Sequence, residues 1–142
     1  MNSIEDRPLQ GARILVAEDD AILAFDLGIT LQRAGASILG PALTLAHTLS
    51  LAQTAPMSAA VLDVSLRDEE VFPAALALRE RGVGIVFYTG YAAVDSLRRE
   101  WPEAQVLTKP TPPRLLIQAV RHVWRIGADR GAPASENAPG KV

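Results

Sequence analysis

Cysteine is absent from the 142 residues, which removes disulfide frameworks, thiolate nucleophiles and cysteine-ligated zinc together. Histidine is scarce, with two copies, so a histidine-rich metal centre is excluded as well. No apolar run approaches the roughly 18 residues that a membrane-crossing helix needs. The opening Met1-Asn2-Ser3-Ile4-Glu5-Asp6 carries neither the basic nor the apolar stretch of an export signal. These absences predict a cytoplasmic chain with no membrane partner. Basic residues form no run, and the formal net charge is -2. A nucleic-acid partner is therefore not expected, because a phosphate backbone calls for a basic stripe.

What is present suits one globular domain: hydrophobic residues make up 49% and charged residues 21%, a balance found in compact chains and not in disordered ones. Residues Met1 to Ala12 are polar, contain Pro8 and Gly11 and show no periodicity, so they read as a flexible leader. Residues 127–142, rich in Gly, Ala, Pro and small polar groups, read as a disordered tail. A folded domain over 13–126 remains.

Within it, short apolar runs alternate with segments of helical period. The runs are Arg13 to Ala17, Ser37 to Gly40, Ala59 to Val64, Val83 to Tyr88 and Ala104 to Thr108. Ile14-Leu15-Val16 and Ile85-Val86-Phe87 are continuously apolar, as in strands covered on both faces. Helices are predicted over Ala21 to Ala34, Thr44 to Thr54, Glu70 to Arg81, Ala92 to Glu100 and Pro113 to Ile126, with Thr44 as an N-cap and Gly35, Gly82 and Gly127 as stops. The last helix repeats Leu116, Ala119, Val120, Val123 and Trp124 at three- and four-residue steps, a core-facing stripe. Strict alternation of five strands and five helices predicts an α/β, doubly wound parallel sheet, whose ligands bind beyond the C-terminal ends of the strands.

The chemistry-bearing residues stand at those ends. The first strand runs into Glu18-Asp19-Asp20, and the third ends in Asp63. Acids at a helix start also serve as caps, a role that suffices for Asp20 alone, but Asp63 arrives from a distant strand. An all-oxygen cluster selects a hard cation, with Mg²⁺ the natural candidate. The fourth strand ends in Thr89-Gly90-Tyr91 and the fifth in Thr108-Lys109-Pro110. Singly, Thr89 suits a turn and Lys109 a solvated surface. Jointly, acids, a hydroxyl and an ammonium around a divalent ion suit attack of a carboxylate on phosphorus, with Lys109 as a point charge on one equatorial oxygen and Thr89 donating to another. His47 and His122 lie on helices without a useful partner and are read as partly exposed.

With these residues in register, the stretch from Arg13 to Val120 resembles the receiver domain of two-component response regulators. That resemblance implies a flavodoxin-like strand order of 2-1-3-4-5, Asp63 as phosphoacceptor, Thr89 and Lys109 as its catalytic partners, and a cis peptide at Lys109-Pro110. It also implies Mg²⁺ ligated by Asp19, Asp63 and the Ser65 backbone carbonyl, with Glu18 acting through water. Phe87-Tyr88-Thr89-Gly90-Tyr91 resembles a Phe-Ala-Thr-Gly-Tyr signature common among single-domain receivers. Val106 stands where many receivers have an aromatic switch residue, so Tyr91 becomes a candidate for that role, and phosphorylation is expected to order the segment from Gly90 to Trp101. The function implied is a stand-alone, cytoplasmic phosphoacceptor signalling domain and not a turnover enzyme, phosphorylated by a sensor histidine kinase. Output through a histidine phosphotransfer protein, another protein target or a homodimer is left open. Two alternatives stand beside it. One is a metal-dependent phosphohydrolase with an aspartate nucleophile, in whose pattern Ser65 occupies the place of a second acid. The other is a receiver-like scaffold that works without phosphorylation.

Overall fold

Alternation along each strand divides the apolar side chains between two cores, and a sheet between helical layers follows from it. The computed structural model describes residues 7–129. In chain order the elements are β1 (Arg13–Ala17), α1 (Ala21–Arg33), β2 (Ser37–Ala42), α2 (Leu45–Thr54), β3 (Ala59–Asp63), β4 (Ser65–Leu66), β5 (Glu69–Glu70), α3 (Phe72–Glu80), β6 (Gly84–Thr89), a 3-10 turn (Tyr91–Ala93), α4 (Val94–Glu100), β7 (Gln105–Thr108) and α5 (Pro113–Asp129). The five long strands form one parallel sheet in the order β2-β1-β3-β6-β7. Because β4 and β5 form a separate two-stranded unit, this is the expected 2-1-3-4-5 flavodoxin-like topology.

Leu15, Ala60, Leu62, Ile85 and Phe87 face one core with Ala52 of α2, Ala74 and Leu78 of α3 and Leu97 of α4. Their neighbours Ile14, Val16, Val61, Val86 and Tyr88 face the other, with Leu27 and Leu31 of α1 and Leu116, Val120 and Val123 of α5. β3 is buried at every position, as a central strand must be. Gly84 is required by packing: a Cβ there would lie 2.4 Å from the backbone oxygen of Val123, so α5 rests directly on the β6 backbone. The predicted stripe on α5 is core, and Trp124 packs half-buried at its edge.

Capping follows side-chain chemistry. The Asp20 carboxylate accepts from the N–H groups of Ile22 and Leu23 at 3.0 and 3.2 Å, and the Thr44 hydroxyl accepts from the N–H of His47 at 3.1 Å. Both histidines are exposed.

Four expectations change. Part of the predicted leader is packed: Leu9 is fully buried, and its N–H donates to the Ala34 carbonyl at 2.8 Å. An apolar side chain within reach of the end of α1 gains more from burial than the chain loses in freedom. Residues 1–6 and 130–142 lie outside the described residues. Gly127 does not stop the last helix, which continues to Asp129. The second strand runs on to Ala42, past a cis Gly40-Pro41 peptide. The third helix starts at Phe72 and not at Glu70, because Glu69 and Glu70 pair antiparallel with Leu66 and Ser65. That hairpin turns through Arg67 and Asp68, both at positive φ (50° and 69°), as a two-residue hairpin turn matched to strand twist demands.

Candidate acidic site at the strand ends

Parallel strands bring their C-terminal ends to a single edge, and the register of this sheet sets which residues meet there. Ala17 pairs with Leu62, Asp63 with Tyr88, and Thr89 with Thr108. The residues one step beyond, Glu18 and Lys109, therefore flank Asp63. The Lys109 ammonium lies 2.8 Å from Asp63 Oδ2 and 3.0 Å from Glu18 Oε1. Asp19 completes the group, and one carboxylate oxygen from each of Glu18, Asp19 and Asp63 lies within 4.8 Å of the others.

Backbone N–H groups orient these acids. Asp20 N–H donates to Glu18 Oε2 at 3.0 Å, Ser65 N–H to Asp63 Oδ1 at 3.2 Å, and Arg67 N–H to Asp19 Oδ2 at 2.8 Å. The last bond comes from the hairpin turn, so β4 and β5 serve the site: a residue 48 positions away in sequence holds Asp19. Sequence periodicity does not reveal this contact, since the turn carries no glycine to announce it.

The electrostatics differ at each group. Burial drives the Glu18 carboxyl up to about 7, assisted by the negative charge of Asp63 and only partly offset by the Asp20 N–H and Lys109. Asp19 is held below the usual carboxylate range, chiefly by the Arg67 N–H. For Lys109, burial opposes the charged form, but hydrogen bonds from the ammonium to Asp63 and Glu18 outweigh it and raise the pKa. A single ammonium thus faces a cluster of acids, and the pocket remains rich in negative charge. Its donors are all oxygens, the chemistry of a hard divalent cation such as Mg²⁺.

Thr89 ends β6, is nearly buried, and accepts the Lys109 N–H at its carbonyl at 2.8 Å. Among the described contacts, none joins its hydroxyl to the carboxylates. The Lys109-Pro110 peptide is cis as expected, and the Lys109 ammonium also lies over the Tyr88 ring at 5.4 Å. Ser65 opens β4, two residues after Asp63.

No family model matches the sequence. None of the curated proteins matches it. Solved structures do match. A response regulator receiver protein from Sinorhizobium medicae WSM419 superposes with a TM-score of 0.75 at 27% identity, over 84% of this chain and 98% of that one. The fold is that of receiver domains. The receiver domain protein of Methanospirillum hungatei JF-1 aligns with a TM-score of 0.74 at 24% identity, over 84% and 98% of the two chains. SdrG from Sphingomonas melonis Fr1, whose structure was determined in solution, aligns at 0.69 and 29% identity over 87% and 98%.

Val106 is buried in the core beside Phe87 and Trp101, and the Tyr91 side chain lies outside the described residues. The segment from Gly90 to Trp101 contains the 3-10 turn and α4. Val94, Leu97 and Trp101 anchor it. Trp101 stacks on Phe72 at 6.2 Å, meets Phe87 edge-on at 5.3 Å, and carries the Arg79 guanidinium 4.0 Å above its ring. No helix among the described residues is long and apolar enough to cross a membrane.

Proposed function

We propose that this chain is a receiver module of a two-component system in which Asp63 accepts a phosphoryl group from a histidine kinase. The observation that carries the reading is the contact of Lys109 with Asp63 at 2.8 Å, inside a cluster that also holds Glu18 and Asp19. An Asp63 carboxylate oxygen attacks phosphorus, the phosphorus–nitrogen bond of the donor phosphohistidine breaks, and the electron pair stays on the imidazole nitrogen. Asp19, Asp63 and the Ser65 carbonyl would hold Mg²⁺ directly, and Glu18 through water. When bound, Mg²⁺ supplies the positive charge that lets an anionic donor approach several carboxylates.

The remaining roles fall to the chain's own groups. Lys109, positioned by Glu18 as well as by Asp63, neutralises one phosphoryl oxygen, and Thr89 donates its hydroxyl to a second. Ser65 N–H, which already meets Asp63 Oδ1, fixes the plane of the attacking carboxylate. Ile22 and Phe25, 78% and 65% exposed in the first turns of α1, present apolar surface close to Asp19. That surface suits the docking of a donor protein, which must bring its phosphorus to Asp63. Output then passes by protein contact or by relay to a histidine phosphotransfer protein.

Incubation with acetyl phosphate and Mg²⁺, followed by intact-mass spectrometry, tests the assignment. The expected result is addition of one phosphoryl group to the wild type and none to Asp63→Asn. Equal labelling of both proteins would refute it. Sustained release of phosphate from a phosphomonoester would point to a hydrolase instead.

A further inference from the structure

Folding gathers basic residues that the sequence scatters. A cleft of about 580 Å³ between α1 and α5 is lined by Arg33, Arg114 and Arg121, with Pro8, Ala34 and Ile117 as apolar lining. Arg114 and Arg121 are seven residues apart, so both lie on one face of α5, separated by about 10 Å along its axis. Arg33 comes from the last turn of α1. All three are exposed. The ion pairs of Lys109 with Glu18 and Asp63 involve none of these three arginines. Helix stability does not account for Arg114, because a cation in the first turn opposes the helix dipole and no acid in that turn offsets it.

We propose that this cleft binds a small phosphorylated ligand of the nucleotide class. Guanidinium forks recognise phosphate oxygens two at a time, and the cleft volume falls within the range of small-molecule sites. The apolar lining offers a surface on which a planar base can rest. A duplex nucleic acid is disfavoured, since its affinity needs many more phosphate contacts than three arginines provide. The cleft lies between two helices and includes none of Glu18, Asp19, Asp63, Thr89 or Lys109, so the inference is independent of the phosphoacceptor assignment.

The test is titration of the full chain, labelled with ¹⁵N, with ATP and separately with inorganic pyrophosphate. A chelator excludes divalent ions, and the acidic pocket then repels both probes. ATP is expected to give saturable amide shifts in residues 30–34 and 114–121. Pyrophosphate should shift the same residues at least about fivefold more weakly, and an Arg33→Gln/Arg121→Gln variant should lose about tenfold in ATP affinity while keeping a native spectrum. Shifts that never saturate, equal affinity for ATP in the variant, or equal binding of the two probes would overturn the proposal. So would binding of an oligoglutamate peptide in place of ATP.

Discussion

Replacing Trp101 with alanine removes the side chain that fastens the C-terminal end of α4 to the core. The indole is 6% exposed and touches Phe72, Phe87 and Arg79. Buried Trp→Ala substitutions cost about 3–5 kcal/mol, a range that already contains the ring contacts, so none is added separately. The Arg79 contact is near the surface and contributes little more than about 0.5 kcal/mol, which places the expected loss near 4 kcal/mol. For a domain of this size each kcal/mol lowers Tm by about 3 °C, so Trp101→Ala should melt about 12 °C below the wild type. Trp101→Phe keeps a ring against Phe72 and Phe87 and should lose less than half as much. Urea unfolding gives the free energies, and amide hydrogen exchange shows where they act. Protection should fall first over Val94–Glu100 and persist in β1 and β3. A drop in Tm below about 3 °C for Trp101→Ala, or loss of protection spread evenly over the sheet, would refute the anchoring role of the indole.

Three further outcomes follow from local geometry. Gly84→Ala forces a methyl to within 2.4 Å of the Val123 carbonyl oxygen. Because backbone on both sides must move, a loss of at least about 2 kcal/mol in urea unfolding is expected, and a neutral result would contradict the direct seating of α5 on β6. Arg67→Gly removes a non-glycine residue from φ 50° while retaining the N–H that holds Asp19. It should raise stability by up to about 1 kcal/mol, and a loss of similar size would contradict the turn geometry. Asp19→Asn removes one anionic oxygen donor from the acidic cluster and should weaken Mg²⁺ binding by about tenfold or more in calorimetric titration. Unchanged affinity would exclude Asp19 as a ligand.

The candidate site was largely legible before folding because a doubly wound sheet turns a linear pattern into a place. Glu18, Asp19, Asp63, Thr89 and Lys109 each follow an apolar run, and parallel strands carry such positions to one edge. The hairpin was not legible. Arg67 and Asp68 adopt positive φ without the glycine that normally signals it, and the third helix therefore began two residues later than its periodicity suggested. Leu9 was missed for a related reason: a single apolar residue has no period, and its burial depends on where α1 happens to end.

Local patterns were enough to set the chain order of strands and helices, the covering of the strands on both faces and the presence of acids and a lysine at strand termini, because periodicity and capping act over a few residues. The Lys109 contacts with Glu18 and Asp63, the hold of Arg67 on Asp19, the Phe72, Phe87 and Trp101 cluster and the convergence of three arginines were decided only by the packed chain. Each joins groups far apart in sequence, and such meetings are fixed by strand register and helix docking.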